Sequence, residues 1–458
     1  MNGPTGGMHT YTDQTEALAR SLVAYARNRI ASPQPLDGPQ PSAELARRAG
    51  ATITAEGIGG EEALRIWAEV LAPATISTDH PASLAFVPGA PTKASVLFDL
   101  VVGSSSVIAA SWLDGAGAIW AENQALRWIA DLAGLPEGAG GCFVSGGSAG
   151  NLSGLVTARD VAARARGDRG RPARWAIACC DTVHSSVAAA AKVMDVDVIS
   201  VPHDDRGKLT GPNLATSLDA HPNADGVFAV VASAGATNAG TVDDLAGVAQ
   251  VAEDRGLWLH VDAAYGGGGL VSPTIRSSFD GIEKADSLSV DPHKWLFAPY
   301  DSCALIYRDP ELARRAHTQE ASYLDSVNAD LEWAPSHYAY HLSRRARGLP
   351  LWFSLATYGT DAYRDAVEQV LSLTRQTALE ITRHADLELI QEPELSVVLF
   401  RRRGWDAACY DAWWRRLLDA QIGFVQPTKW EGETVGRLCF INPRTTIDHV
   451  RAILGTMA

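Results

Sequence analysis

Hydrophobic residues follow two different spacings along this chain. Between about residues 75 and 310, short continuous apolar runs alternate with segments of helical spacing, such as those near 185–194 and 243–255. Continuous apolar runs are typical of strands buried on both faces, so the alternation predicts a mostly parallel sheet covered by helices. The seven predicted strands are 141–144, 175–180, 196–201, 226–232, 257–263, 287–290 and 302–307.

The front section of the chain carries only helical spacing. Helices are predicted at 13–31 and 60–71, and together they are too thin to build a hydrophobic core of their own. We therefore expect this section to pack on the main body or on another subunit.

The end of the chain mixes both patterns, as in a small α+β domain. The predicted elements are a helix at 347–383, strands near 386–402 and 436–441, and a helix at 406–420. The predicted divisions of the whole chain are an N-terminal helical segment (1–75), a large domain (76–345) and a small C-terminal domain (346–458).

Composition and charge exclude several classes of protein. The 458 residues carry a net charge of −14, which argues against binding to nucleic acid or to an anionic membrane. No apolar run approaches the ~18 residues of a membrane-spanning helix, and the first residues lack the features of a secretory signal, so we expect a cytoplasmic protein. The six cysteines form no C-x-x-C pair, and no ordered His or Cys spacing predicts a metal site.

Candidate chemistry is expected where the strands end, because parallel sheets bind ligands at the carboxyl ends of their strands. Residues 145–152 place glycines and Ser148 between a strand and a helix, where free backbone N–H groups can hold an anion. The same segment matches G-x-S-x-G from Gly146 to Gly150, the nucleophile elbow of α/β-hydrolases. A serine hydrolase would use Ser148 with a downstream histidine, for which His449 is available.

Three other strand ends each carry one chemically distinctive residue. His184 follows the second strand, Asp262 lies at the end of the fifth, and Lys294 follows the sixth. A carboxylate at the end of an apolar strand needs a cationic partner. A lysine in apolar surroundings loses its proton more readily and becomes nucleophilic. The chain has only six lysines, so few residues compete with Lys294 for this role.

Together these residues meet the requirements of one cofactor, pyridoxal phosphate. The cofactor needs an anion cradle, an amine for a Schiff base, a carboxylate that keeps its pyridine nitrogen protonated, and a flat group that stacks on its ring. Ser148 with its neighbouring glycines, Lys294, Asp262 and His184 supply one each. We therefore expect a pyridoxal phosphate site at the carboxyl edge of the sheet.

Five motifs make the chain resemble the group II pyridoxal-phosphate decarboxylases, which include aromatic amino acid and glutamate decarboxylases. They are SGGSAGNL at 145–152, HVDAAYGG at 260–267, DPHKW at 291–295, ASYL at 321–324 and INPRTT at 441–446. The resemblance spans the chain from about His80 to the C-terminus. It implies the α/β fold of aspartate aminotransferase (fold type I) and decarboxylation of an L-amino acid, with aromatic amino acids among the substrates it allows.

The resemblance also implies roles for matching residues. The implied cofactor residues are Lys294 (Schiff base), Asp262 (pyridinium partner), His184 and Ala264 (the two ring faces), Thr237 (near the cofactor), and Gly147, Ser148 and His293 (phosphate side). The implied substrate-binding residues are His80, Phe86 and Trp112. Asp291 departs from the family, which often has asparagine there, and a carboxylate at this position would repel a phosphate.

The polar stretch 318–335 is predicted to be a long loop, and long loops often act as lids. It contains Tyr323, which matches the family's lid tyrosine and would return a proton to Cα after carbon dioxide leaves. The resemblance further implies a homodimer with its active site near the interface. Three alternatives stay open: another pyridoxal phosphate reaction (transamination or oxidative deamination to an aldehyde), a Ser148 hydrolase, and a non-catalytic homologue.

Overall fold

Seven strands form the central sheet of the computed structural model, which describes residues 7–325 and 332–457. They are β1 (Gly140–Val144), β2 (Ala176–Cys180), β3 (Asp197–Val201), β4 (Val227–Ser233), β5 (Trp258–Asp262), β6 (Ser287–Val290) and β7 (Cys303–Tyr307). Their order is β1-β7-β6-β5-β4-β2-β3, and only β7 runs antiparallel to its neighbours. The predicted mostly parallel seven-stranded sheet is confirmed, with each strand boundary within one residue of its predicted position.

Burial explains the nearly continuous apolar runs of β2 and β4. Every residue of β2, β4, β5 and β6 is buried. Successive side chains point to opposite faces, so that Val230 packs in one hydrophobic cluster and Val231 in another. Because both faces are covered, a ligand can reach the sheet at the carboxyl ends of its strands.

The helices of the described residues lie before, between and after these strands. They are α1 (Asp13–Ala31), α2 (Ser42–Ala49), α3 (Gly60–Ile66), α4 (Lys93–Ser104), α5 (Trp112–Leu132), α6 (Gly147–Arg166), α7 (Ser185–Met194), α8 (Gly211–Ala220), α9 (Leu245–Arg255), α10 (Pro310–His317), α11 (Leu349–Tyr358), α12 (Thr360–Arg383), α13 (Ala407–Asp419) and α14 (Ile447–Leu454). None is long and apolar enough to span a bilayer within the described ranges.

Two predicted helices are interrupted. The segment predicted as one helix at 347–383 forms α11 and α12, because Gly359 between them adopts a φ of 77° that a helix cannot contain. The segment predicted at 60–71 is α-helical only to Ile66 and continues as a π-helical turn, Trp67–Leu71. In both cases the apolar spacing continues through the interruption, so the pattern alone does not reveal it.

A second, antiparallel sheet forms the C-terminal region. Its strands are β8 (Leu387–Leu389), β9 (Val397–Arg402), β10 (Thr428–Trp430) and β11 (Glu433–Cys439), in the order β10-β11-β9-β8. The α13 helix follows β9 as predicted, but the strand predicted at 386–402 is two strands, β8 and β9, and β10 was not predicted.

The N-terminal section has little core of its own, as expected. Helix α1 contains no buried residue. The section is attached through Arg29, which forms a bidentate ion pair with Asp79 at 2.7 and 3.2 Å, and through Leu36, which is buried against Leu418 and Phe424. The front section therefore contacts the main body at Arg29 and Leu36, and its packing on a second subunit stays a prediction.

Candidate active site

The carboxyl ends of the parallel strands surround a cavity of about 280 Å³. All eight residues predicted to bind a cofactor line it: Gly147, Ser148, His184, Thr237, Asp262, Ala264, His293 and Lys294. They come from the ends of five strands, β1, β2, β4, β5 and β6. These ends lie at one edge of the sheet, so the parallel topology assembles the site from distant parts of the sequence.

Helix α6 begins at this cavity. Its N-cap is Gly146, which has no side chain to occupy the first backbone N–H groups. Ala149 and Gly150 already donate to the Gly146 carbonyl oxygen, which leaves the N–H groups of Gly147 and Ser148 at the positive end of the helix dipole, where they favour an anion. A Cβ on Gly147 would lie 3.0 Å from the Ala264 Cβ and 3.2 Å from Asp291 Oδ2, so a larger residue would crowd this approach. This end of the cavity therefore suits a phosphate group.

Asp262, at the end of β5, is 7 % exposed. Its oxygens accept hydrogen bonds from two neutral donors: Oδ2 from Asn151 Nδ2 at 2.8 Å, and Oδ1 from the Ala264 backbone N–H at 3.0 Å. No lysine or arginine of the described part of the chain forms an ion pair with this carboxylate. A buried carboxylate without a cation is costly, so the site suits a ligand that brings a positive charge.

Lys294 follows β6 and is ion-paired within the protein. Its Nζ lies 2.9 Å from Asp291 Oδ2. Burial lowers the pKa of the Lys294 amine, but the charge and the hydrogen bond of Asp291, with a smaller contribution from the charge of Asp262, outweigh burial, and the pKa is raised. The expectation that apolar surroundings make this lysine lose its proton readily is therefore wrong, because the neighbouring carboxylate of Asp291 stabilises the charged amine.

The two carboxylate oxygens of Asp291 have different surroundings. The residue is 3 % exposed, and its second oxygen, Oδ1, has no hydrogen-bond partner of regular geometry among the described residues. His293 Nε2 lies 3.6 Å from Oδ2, the oxygen that already pairs with Lys294. The structure thus assigns Asp291 a partner, the lysine, that the sequence did not indicate.

Two histidines are held at the cavity wall by short contacts. Nδ1 of His184, the N-cap of α7, accepts a hydrogen bond from the Ser186 backbone N–H at 3.2 Å and lies 2.8 Å from Ser186 Oγ. His293 Nδ1 lies 2.6 Å from the Ser302 carbonyl oxygen, and its ring tilts against that of Tyr300 with centroids 4.7 Å apart. Burial lowers the pKa of His293, which favours the neutral ring.

Thr237 lies in a loop that the C-terminal region holds in place. The guanidinium of Arg437, buried on β11, donates to the carbonyl oxygens of Thr237 at 2.6 Å, Asn238 at 3.1 Å and Phe86 at 2.7 Å. Sequence reasoning gave Arg437 no role, because backbone carbonyls leave no sequence signal. Asn151 likewise lies within a recognised motif, but its partners are visible only in the fold.

The three predicted substrate-binding residues do not line the cavity of this chain. His80 Nδ1 accepts a hydrogen bond from the Ala82 backbone at 3.0 Å, and Phe86 is 63 % exposed. Trp112 begins α5 and packs against a separate hydrophobic cluster beside α4. Their contact with substrate stays a prediction.

The predicted lid falls partly outside the described residues. Tyr323 belongs to the short 3₁₀ helix Ser322–Leu324, but its side chain lies outside the described part of the structure, as do residues 326–331. The role of Tyr323 therefore stays a prediction as well.

The hydrolase alternative lacks its catalytic base. No hydrogen bond joins Ser148 to a histidine in the part of the chain that the structure describes. His449 is engaged with Thr446 at the start of α14, at 3.0 Å to its backbone N–H and 2.8 Å to its hydroxyl. A nucleophilic serine requires a hydrogen-bonded base, so the arrangement does not support this chemistry. Over the same described ranges, no group of three or more His, Cys, Asp and Glu side chains is arranged to hold a metal ion.

Comparison with known proteins identifies the family. The model of the pyridoxal-dependent decarboxylase conserved domain matches residues 61–403. The chain therefore belongs to the pyridoxal-dependent decarboxylase family and is a pyridoxal-phosphate-dependent carboxy-lyase.

Individual relatives agree with this assignment. An aromatic-L-amino-acid decarboxylase from Bacillus atrophaeus is 32% identical over 389 residues, which cover 82% of this chain and 80% of the relative. An L-2,4-diaminobutyrate decarboxylase from Acinetobacter baumannii is 28% identical over 432 residues, covering 87% and 83%. The solved structure of Oryza sativa TDC with PLP and tryptamine has a TM-score of 0.91 at 24% identity and covers 100% of this chain and 99% of that chain. The predicted fold type I is confirmed.

The residues present fit pyridoxal phosphate. The start of α6 offers N–H groups for the phosphate, and Asp262 is a buried carboxylate that forms no ion pair with a lysine or arginine among the described residues. Lys294 supplies an amine at the wall of the same cavity.

Proposed function

We propose that this protein removes the carboxyl group of an L-amino acid and releases carbon dioxide and the corresponding amine. The observation that supports this best is that Lys294, Asp262 and the open start of α6 line one cavity. Lys294 would carry the cofactor covalently through Nζ, Asp262 would pair with the ring nitrogen, and α6 would hold the phosphate. When bound, pyridoxal phosphate supplies a ring that accepts the electrons of the breaking carbon–carbon bond.

The side chains then have separate tasks. Asp262, held by Asn151 and Ala264, keeps a negative charge at the ring nitrogen and so favours its protonated form. His184, held by Ser186, would lie against the ring. Lys294 would give up its place on the cofactor to the substrate amine, and Asp291, which lies 2.9 Å from Nζ, would stabilise the ammonium group of the released lysine.

The proton returned to the substrate Cα decides the product. We assign this proton to Tyr323 from the family resemblance. A phenol has a pKa near 10, so it holds a proton at neutral pH that a strongly basic carbon can take. A closed lid would also exclude water and oxygen from this carbon. Without protonation, reaction with oxygen would give an aldehyde, ammonia and peroxide in place of the amine.

The Tyr323→Phe variant tests this assignment, because it removes the phenolic proton and keeps the ring. We expect amine formation to fall by about 10²- to 10⁴-fold, while carbon dioxide release persists and aldehyde appears in air. Products are quantified by chromatography, with anaerobic reactions as the control. Amine formation at the wild-type rate would show that another group, with His184 as the first candidate, donates the proton. A wild-type enzyme that yields aldehyde and no amine would contradict the proposed function itself.

We propose an aromatic amino acid as the first substrate to test. This proposal rests on the family resemblance and on the Bacillus atrophaeus relative, which is named an aromatic-L-amino-acid decarboxylase. The second relative, named a diaminobutyrate decarboxylase, makes a basic amino acid the next choice. Measuring amine and carbon dioxide from each common amino acid distinguishes the two classes.

We also propose that the protein acts as a homodimer with the active site near the interface. Large apolar side chains are exposed on α4 and α5: Leu97, Leu100, Val101, Leu113 and Trp120. A concentration of exposed apolar side chains is typical of a contact surface. Sedimentation equilibrium tests the proposal, since a particle with the mass of one chain would contradict it.

A further inference from the structure

A chain of hydrogen bonds runs behind Asp262, between α6 and the strands β5 and β6. It begins at the Trp258 indole, whose Nε1 donates to Ser287 Oγ at 2.8 Å. Ser287 Oγ lies 2.7 Å from His260 Nδ1, and His260 Nε2 lies 3.0 Å from Asn151 Oδ1. Asn151 Nδ2 then donates to Asp262 Oδ2 at 2.8 Å. These hydrogen bonds thus join the buried side of the sheet to the carboxylate at the cavity.

The two end groups of this series of hydrogen bonds determine which atom donates and which accepts in every bond between them. An indole N–H can only donate, and a carboxylate can only accept. Ser287 therefore accepts from Trp258 and donates to His260 Nδ1, which leaves the imidazole proton on Nε2 to be donated to Asn151. Burial lowers the pKa of His260 to about 4, which keeps its ring neutral. All the donors point toward Asp262, and none of the groups behind it carries a charge.

Asn151 is the residue on which these bonds converge. Its side chain is fully buried and uses all four of its hydrogen-bonding positions. Nδ2 donates to Asp262 and to Ser186 Oγ at 2.9 Å, and Oδ1 accepts from His260 and from Ser289 Oγ at 2.8 Å. An amide with four partners of fixed roles has a single favourable orientation. Its N–H group is therefore held on the Asp262 carboxylate.

The same amide also reaches the histidine at the cavity wall. Ser186 Oγ accepts from Asn151 and lies 2.8 Å from His184 Nδ1, to which it can donate. Gly154 on α6 permits the close packing, because a Cβ there would lie 2.9 Å from His260 Nδ1. One buried side chain therefore holds both the carboxylate expected at the ring nitrogen and the imidazole expected at the ring face.

We propose that Asn151 is a positioning residue, which holds the Asp262 carboxylate in the orientation that pairs with the ring nitrogen of pyridoxal phosphate. The inference rests on the proposed placement of that nitrogen at Asp262. Because the amide is neutral, it prevents rotation of the carboxylate without neutralising it. Loss of the amide should weaken cofactor binding only to the extent that binding depends on the ring nitrogen.

The experiment compares two ligands of the apoenzyme: pyridoxal phosphate, and the analogue with a C–H group in place of the ring nitrogen. Wild-type protein should bind pyridoxal phosphate more tightly, because only its nitrogen can pair with Asp262. In Asn151→Ala we expect a loss of about 10- to 100-fold in affinity for pyridoxal phosphate, as for a lost hydrogen bond to a charged group, and less than about a threefold change for the analogue.

Ser186→Ala is the matched control. It removes the other acceptor of the same amide and acts through His184, which would contact the ring whether or not it contains nitrogen. Both ligands should therefore be weakened by similar factors in this variant. A selective loss of pyridoxal phosphate affinity in Ser186→Ala would contradict the separate roles given to the two hydrogen bonds that Asn151 Nδ2 donates, one to Asp262 and one to Ser186.

An unchanged ratio of the two affinities in Asn151→Ala would overturn the proposal. If this variant does not fold, Asn151→Ser keeps a polar side chain and removes the amide, with an expected loss of about 10-fold or more for pyridoxal phosphate alone. Equal losses for both ligands in that variant would overturn the proposal too. A wild-type protein that discriminates between the ligands but makes no amine would contradict the proposed function and leave the role of Asn151 supported.

Discussion

Asp262 and Asp291 stand at the ends of neighbouring parallel strands, β5 and β6, and line the same cavity. Both are buried, yet their partners differ in kind. Asp262 accepts hydrogen bonds from two neutral N–H groups, and Asn151, which supplies one of them, is itself fully hydrogen-bonded. Asp291 pairs through one oxygen with the Lys294 ammonium, and its other oxygen has no regular hydrogen bond among the described residues.

The two carboxylates differ in whether their partners can change charge. The donors around Asp262 have the same charge before and after a ligand binds, so the carboxylate can offer an incoming cation a fixed negative charge. The partner of Asp291 is the amine that is expected to react, and its charge changes when it does. A carboxylate at this position, where the family often has asparagine, can therefore stabilise the lysine in its free, protonated state.

Removing the reactive amine should have the largest effect. In Lys294→Ala we expect no covalent attachment of the cofactor and the loss of essentially all activity, because no other lysine lines this cavity among the described residues. Borohydride reduction of the wild-type holoenzyme, followed by peptide mapping, should place the label on Lys294. A label on Lys192 or Lys284 would show that the reactive amine is misassigned.

Removing the charge of Asp262 should have the next largest effect. Asp262→Asn keeps the shape of the side chain but no longer favours the protonated ring nitrogen, so kcat should fall by about 10²- to 10³-fold, the scale of a lost preorganised electrostatic group. Cofactor content, measured by absorbance, should fall much less than kcat. Turnover close to that of the wild type would mean that the ring nitrogen does not pair with this residue.

Removing the charge of Asp291 should have the smallest effect. It should alter the pH dependence of cofactor attachment. Asp291 makes the largest of the contributions that raise the Lys294 pKa, so that pKa should fall in Asp291→Asn. The neutral amine then forms at lower pH, so the rise in the rate of cofactor attachment to the apoenzyme should move to lower pH. Stopped-flow absorbance over the neutral to alkaline range measures this rate. A shift of the same size in Asp262→Asn would show that the two carboxylates act alike on Lys294.

The hydrophobic pattern was sufficient for most of the fold. The strand at 287–290 and the helix at 185–194 have the predicted bounds: Pro292 follows closely after the strand, and Asp195 after the helix has a left-handed backbone conformation. The break at Gly359 was missed, since the apolar spacing continues on both sides and a single backbone angle does not change it.

The candidate site was predictable as far as it depends on side-chain chemistry at strand ends. Lys294, Asp262 and His184 stand out because a charged or titratable residue directly after an apolar strand needs a reason to be there. Asn151 and Arg437 do not stand out. Their importance lies in partners such as a buried carboxylate and backbone carbonyls, which only the fold brings within hydrogen-bonding distance.

The sequence by itself determined the order of strands and helices and the set of reactive groups, because the hydrophobic period and the functional group of a side chain are local properties. Only the tertiary structure decided how those groups are charged and oriented. The raised pKa of Lys294 and the fixed orientation of Asp262 depend on neighbours from other strands and helices at distances below about 3 Å. Electrostatic and hydrogen-bond energies depend steeply on such distances and on burial, and neither can be read along the chain.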